Sequence, residues 1–436
     1  MNRIVTPEGM TRRHFMSHLA GASALALPAI SFTNTLMASA TDMKKRHKSA
    51  IMLWMGGGPA TIDIWDLKPG APTGGEFKPI ATTADGVEIS EHMPLMAKQM
   101  KHMAIVRSMS TKEADHARGR YYMHTGYVPN PNIEYPSYGS VVAHELAPLM
   151  PDLEIPPFVS VGGGSEGPGF LGMTWAPFVV NSNGDVRDLN MGLQGNRMAE
   201  RMQMLAGIEK QFIGEIGGDG RSSKSSGVAT TAAGEHAKIL DKTLQIMTSK
   251  QMDAFKSGSE TAATKEAYGN TGFGRGCLMA RRLVEAGVPF IEVDLGGWDT
   301  HANNFTSLKN TKLPELDKAM SALVADLEER GLLNDTVIIW MGEFGRTPRI
   351  NGNAGRDHWA RSWSTVVGGG SFKRGIAVGK TNSDGTMVET EPYTSQDLMA
   401  SVLKSLGISL ETVFTSKNGR PMKIANSGKV IKDLFA

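Results

Sequence analysis

The chain has 436 residues and a single cysteine, and its 46 Lys and Arg stand against 44 Asp and Glu. Charge so nearly balanced gives no case for nucleic acid or an anionic membrane surface as partner, and one thiol excludes an intramolecular disulfide. Stability has to come from a buried core, which a chain of this length can supply.

The N-terminus reads as an address. Thr11-Arg12-Arg13-His14-Phe15-Met16 precedes a mildly apolar segment from Leu19 to Leu36, and Ala38-Ser39-Ala40 offers a small-residue cleavage site. That order predicts a twin-arginine secretion signal over residues 1–40. Gly21, Ser23, Pro28 and Ser31 leave the segment too short and too polar for a stable membrane anchor. The expected mature protein, residues 41–436, is one domain, periplasmic or secreted, passed folded through the twin-arginine machinery. Export in the folded state suits a protein that carries a metal or cofactor from the cytoplasm.

In chain order, Ala50–Met55 is an apolar run that predicts a buried parallel strand, and Gly56-Gly57-Gly58-Pro59 breaks it. The glycines form either a tight turn or an amide cradle for an anion, with Asp63 close behind. Residues 69–93 read as a surface excursion rich in Pro, Gly and Thr. A second strand is predicted over His102–Arg107. Asp115, His116, Arg118 and Arg120 then crowd the start of a helix expected from about Gly119 to Thr125, either a place for a sulfate or phosphate group or a solvated charged turn.

Pro157–Val161 is strand-like, and the Gly-, Ser-, Ala- and Thr-rich stretch near 214–234 reads as an insertion. Helical spacing returns over Glu235–Phe255 and again over Phe273–Ala286. In the latter, Leu278, Met279, Leu283 and Val284 share a face opposite Arg281 and Arg282. Val288–Leu295 is a buried strand that runs into Gly296-Gly297-Trp298-Asp299-Thr300-His301. Lys312–Gly331 is an amphipathic helix, and Thr336–Met341 is the clearest strand of the chain. Polar residues again follow that strand: Glu343, then Asp357 and His358. A strand from Trp363 to Val367 and a helix from Ser395 to Leu406 complete the pattern. Strand, polar loop and helix in repetition argue for a mostly parallel sheet flanked by helices.

Asp63, His116, Asp299, His301, Glu343, Asp357 and His358 all lie just past apolar strands. In a parallel sheet such loops converge on one edge, and histidines with carboxylates are the donors that suit a divalent ion. The stretches WMGGGPATID (54–63), DHARGRYYMHTG (115–126), the run from Gly274 to Phe305 and the run from Val337 to Trp359 resemble the DUF1501 family. That family is related to the alkaline phosphatase and sulfatase superfamily.

The resemblance implies an alkaline-phosphatase-like fold and a divalent ion, whether zinc, calcium or manganese. Asp299-Thr300-His301 resembles the superfamily's Asp and His ligand pair, and His358 its last His ligand. Glu343-Phe344-Gly345 stands where the superfamily has Asp-His-Gly, and His116 stands at its nucleophile position. The function implied is metal-dependent hydrolysis of a sulfate or phosphate ester, on a small anionic molecule or a polysaccharide, by metal-activated water. Asp63, Asp299, His301, Glu343, Asp357 and His358 would serve the metal, His116 would be ligand or general base, and Arg118 would hold the anionic group. Thr61 and Ser110 are reserve nucleophiles. The rival expectation is a non-catalytic binding or assembly protein on a degenerate hydrolase scaffold.

Overall fold

Ser49–Trp54 (β1) is buried at every position, as its apolar run requires of a strand covered on both faces. The computed structural model describes residues 47–184 and 249–435 with scattered positions between. The expected leader at 1–40, the insertion near 214–234 and most of the helix expected over 235–255 lie outside the described residues. The last turns of that helix, Lys250–Phe255, form a 3-10 helix instead.

β1 sits in the middle of an eight-stranded sheet. The other strands are Met103–Met109 (β2), Phe158–Val161 (β3), Phe178–Val180 (β4), Phe290–Asp294 (β5), Thr336–Met341 (β6), Trp363–Gly369 (β7) and Ile376–Val378 (β8). Their spatial order is β8-β2-β7-β6-β1-β5-β3-β4. Only β7 runs against its neighbours, β2 and β6; the other pairings are parallel. The fold is the expected α/β arrangement with a mostly parallel central sheet.

Two apolar layers follow from the alternation of β1. Ile51 and Leu53 pack with Leu278 and Leu283 of Gly272–Glu285 and with Leu316, Leu323 and Leu327 of Leu313–Glu329. Ala50, Met52 and Trp54 point the other way, into a layer shared with Tyr138–Leu146 and Ser395–Ser405. With His116–Thr125 these helices are α1 (116–125), α2 (138–146), α3 (272–285), α4 (313–329) and α5 (395–405). Each fully buried Leu or Ile of these layers contributes roughly 1.5–3 kcal/mol. Among the described residues no helix is long and apolar enough to cross a membrane.

Several local expectations are corrected. α1 starts at His116, three residues earlier than its spacing suggests, because the Asp115 side chain caps it by accepting from the Arg118 N–H at 3.1 Å. Arg281 is not on a solvent face but 1% exposed. It is held there by Glu260, Glu285 and Asp326 at 2.7, 2.6 and 2.9 Å, which supply the countercharge burial demands. The stretch 69–93 is only partly superficial: it carries a ribbon of Pro79–Ala81 on Glu88–Ser90 and buries Phe77, Ile89 and Met93.

At the carboxyl edge, the turns after β5, β1 and β6 lie side by side. Gly57 is the close approach: its φ is 112° and an added Cβ would sit 2.6 Å from the Asp299 nitrogen. Just below, Asp63 and Arg356 are fully buried and paired. Arg356 donates from Nε to one Asp63 oxygen and from Nη2 to the other, both at 2.7 Å, and Asn304 donates to Asp63 at 2.8 Å. The remaining guanidinium hydrogens go to the carbonyls of Thr73, Thr347 and Pro348. Burial raises the Asp63 pKa even against the attraction of Arg356 and Asn304.

Arg356→Met leaves that carboxylate without its countercharge. Denaturant unfolding should show a loss of about 3–5 kcal/mol. A carboxyl whose folded pKa lies above its unfolded value loses stability as pH rises between the two. The variant's deficit should therefore be smaller at about pH 5 than at about pH 8, and an equal deficit at both would contradict this account.

Candidate metal centre

Asp299 is the meeting point of the carboxyl edge. It follows β5 through the Gly296-Gly297 turn, and its backbone lies against Gly57 of the neighbouring β1 loop. His301 Nε2 lies 3.0 Å and His358 Nε2 3.3 Å from Asp299 Oδ1, while His116 Nε2 lies 3.3 Å from Oδ2. The Nε2 atoms of His301 and His358 are 3.1 Å apart. Ligating atoms of His116, Asp299 and His358 all fall within 4.8 Å of one another.

Each histidine is turned toward Asp299 by a partner on its far nitrogen. His116 Nδ1 is 2.8 Å from Glu343 Oε1, an oxygen that also accepts from the Gly57 N–H at 2.8 Å. His301 Nδ1 is 2.7 Å from Asp357 Oδ1, and Asn351 donates to the same oxygen at 3.2 Å. His358 Nδ1 is 2.7 Å from the Ala114 carbonyl. A carbonyl or an ionised carboxylate only accepts, so in each case Nδ1 carries a proton and Nε2 is the nitrogen turned toward Asp299. His116 Nε2 is enclosed and has no hydrogen-bond partner, and neither has Glu343 Oε2. The apolar ring of Phe344, 5.2 Å from His116 and 4.8 Å from His358 between centroids, closes the inner wall. Asp357 and His301 stand about half exposed at the mouth, whereas Glu343 is buried.

Arg346, fully buried, supplies the fixed positive charge. It donates to Asp299 Oδ1 at 2.5 Å, to the Gly58 carbonyl at 2.7 Å, to the Arg356 carbonyl at 3.3 Å and to the Gly57 carbonyl. Burial alone would raise the Asp299 pKa, but Arg346, helped by His116 and His301, holds the carboxyl below the ordinary range. His301 does the same for Asp357 through their hydrogen bond, despite some desolvation.

Of the residues singled out by sequence, the structure brings together His116, Asp299, His301, Glu343, Asp357 and His358. Asp63 is engaged with Arg356 and Asn304 instead. Arg118, half exposed, pairs with Glu113 at 2.6 Å. The Thr61 hydroxyl, buried, accepts from the Ser364 N–H. Arg346, Arg356, Phe344 and the Gly57 approach were not assigned from sequence. A readable hint existed for Arg346: it is a cation set only five residues past a fully buried strand, in the same turn as Glu343.

No curated protein matches the chain. Among solved structures it is similar to a sulfatase from Pseudoalteromonas sp., with 14% identity over 87% of this chain and 71% of the other and a TM-score of 0.36. It is also similar to the alkaline phosphatase from the Antarctic bacterium TAB5, with 13% identity over 83% of this chain and 98% of the other and a TM-score of 0.33. A protein in the alkaline phosphatase superfamily from Vibrio parahaemolyticus shares 11% identity over 89% of this chain and 71% of its own, with a TM-score of 0.37. The profile of DUF1501, described as a protein of unknown function, matches residues 47–435, and the chain belongs to that family.

Proposed function

We propose that this chain is an exported, metal-dependent hydrolase of a sulfate or phosphate ester. The observation that carries the proposal is the convergence of three histidine Nε2 atoms on a carboxylate kept ionised by Arg346. Two imidazole nitrogens 3.1 Å apart need either a proton or a metal cation between them. The triangle of Asp299 Oδ1, His301 Nε2 and His358 Nε2, with edges of 3.0, 3.1 and 3.3 Å, fits that need. Bonds of the length zinc makes to nitrogen and oxygen, set tetrahedrally, would give edges of about 3.3 Å. Asp299, His301 and His358 would hold the ion, and Asp357 and the Ala114 carbonyl would fix the imidazoles from behind. Bound there, a divalent ion supplies Lewis-acid polarisation of the ester and acidifies water.

The rest is done by the chain's own groups. His116, with Nδ1 anchored on Glu343 and Nε2 free, is placed to take a proton from attacking water, and Glu343 stabilises the imidazolium so formed. At the rim, the Arg118 guanidinium can exchange Glu113 for a substrate anion. The Arg12-Arg13 leader supports export. The hydroxyls next to the group are committed elsewhere, Thr300 donating to Asn304 and Thr347 accepting from the Asp357 N–H and donating to the Arg349 carbonyl, which favours direct attack by water over a covalent intermediate. The same observation favours the second reading, a binding or assembly protein that keeps the site and lacks turnover.

His301→Ala and His358→Ala should lose stoichiometric metal on elemental analysis. His116→Gln should keep the metal and lose about 10²–10⁴-fold in kcat on aryl sulfates or phosphates. A wild type that holds no metal after metal-replete folding would sink the hydrolase, and a metal-loaded wild type inactive across both ester panels would favour the binding role.

Asp299 and Asp357 have folded pKa values below the ordinary range. Their stabilisation is therefore present above the unfolded aspartate pKa of about 3.9 and is lost as pH falls through the lower folded values. Urea titrations of metal-free wild type against Asp299→Asn and Asp357→Asn should show a stability gap that closes with acidification. A gap that widens would reverse the assignment.

A further inference from the structure

We propose that the centre takes a single divalent ion and that the Arg346 guanidinium occupies the place and the charge of a second. The inference rests on the metal-dependent reading above and fixes the stoichiometry of that site. It follows first from counting donors. The far nitrogens of His116, His301 and His358 are spent on Glu343, Asp357 and Ala114. Both Asp63 oxygens are taken by Arg356, and one Asp357 oxygen is taken by His301 and Asn351. What remains for an ion is His301 Nε2, His358 Nε2 and the Asp299 carboxylate, three donors that leave the fourth tetrahedral position open to water beside His116 Nε2, with the second oxygens of Glu343 and Asp357 left over. Two ions roughly 4 Å apart would need about twice as many donors.

Charge leads to the same number. Asp299, Glu343 and Asp357 carry three negative charges, and Arg346 returns one positive, with Asp63 and Arg356 cancelling each other below. The remainder is matched by one divalent ion, and a second would leave uncompensated positive charge beside a buried guanidinium, at considerable cost.

Geometry shows where the second cation would otherwise sit. The acceptors around the Arg346 guanidinium are the carbonyls of Gly57, Gly58 and Arg356 and Asp299 Oδ1. Four convergent oxygens of this kind, completed by water, suit a hard cation such as calcium or manganese. They share Asp299 with the histidine side of the site, as a second ion of a two-ion centre would. Arg346 thus satisfies a cation pocket permanently, and it keeps the Asp299 carboxylate oriented whether or not an ion is bound.

The test is the stoichiometry of ions, read by native mass spectrometry and calorimetry on full-length protein stripped with chelator and titrated with zinc and, separately, manganese. Wild type and Arg346→Lys should each saturate at one ion per chain. Arg346→Ala, checked for folding by circular dichroism, should take one zinc and gain a second, weaker equivalent of manganese in the vacated oxygen pocket. Two ions in the wild type would overturn the inference, as would a folded Arg346→Ala that still saturates at one. If that variant does not fold, the wild-type count decides alone. Absence of any ion in the wild type is a different result, since it refutes the metal-dependent function itself.

Discussion

The carboxyl edge of this sheet depends on one arrangement: Asp299 kept ionised while three imidazoles aim their Nε2 atoms at it. An isolated anion in that position would be pushed toward protonation by burial, and Arg346 outweighs that push. Once the carboxylate is fixed as an anion, the histidines need only correct tautomers, and their outer partners set those. Glu343 comes from the turn after β6, Asp357 from the segment leading to β7, and Ala114 from the approach to α1. Parts of the chain more than two hundred residues apart therefore agree on the protonation of one small volume.

That agreement is possible because β5, β1 and β6 are neighbours and parallel. Their carboxyl ends release chain at the same height, which brings Asp299, Gly57 and Glu343 into direct contact. Gly57 is a point of close approach, with backbone where any side chain would collide with Trp298 and Asp299. The glycines after β1 are thus a spacing device. They let Arg346 reach two main-chain carbonyls, and they leave the Gly57 N–H for Glu343.

Much of this was legible in the sequence. β1 and β6 are buried on both faces and read as unbroken apolar runs, and the acids and histidines just beyond them were found by position alone. What escaped is tertiary by nature. The reversed direction of β7 leaves no mark on its own pattern, because a buried strand reads the same either way. α2 is buried on most of its surface, so it has no polar face to give a helical stripe; in the structure the Ser137 hydroxyl caps its start by accepting from the Ser140 N–H. Asp63 was placed with the metal residues on proximity to β1, yet its partner Arg356 lies 293 residues on. No local rule connects two such positions. Arg281 misled for a related reason: its charge suggests solvent, and the three carboxylates that permit burial come from three different segments.

The stretch from Glu343 to His358 binds these features into one unit. Gly345–Arg346 pairs antiparallel with His358–Trp359, and the register sets Arg346 opposite His358. Both of those side chains touch Asp299 Oδ1, one as a permanent cation and the other through its Nε2. Ten residues after Arg346, Arg356 turns back to neutralise Asp63, and its carbonyl accepts from the Arg346 guanidinium. Any shift of the ribbon that carried His358 away would also carry off the charge that keeps Asp299 ionised. Site and scaffold are therefore one cooperative element, in which the cation that keeps Asp299 ionised and a histidine aimed at the same oxygen are held in register by the same two backbone pairs.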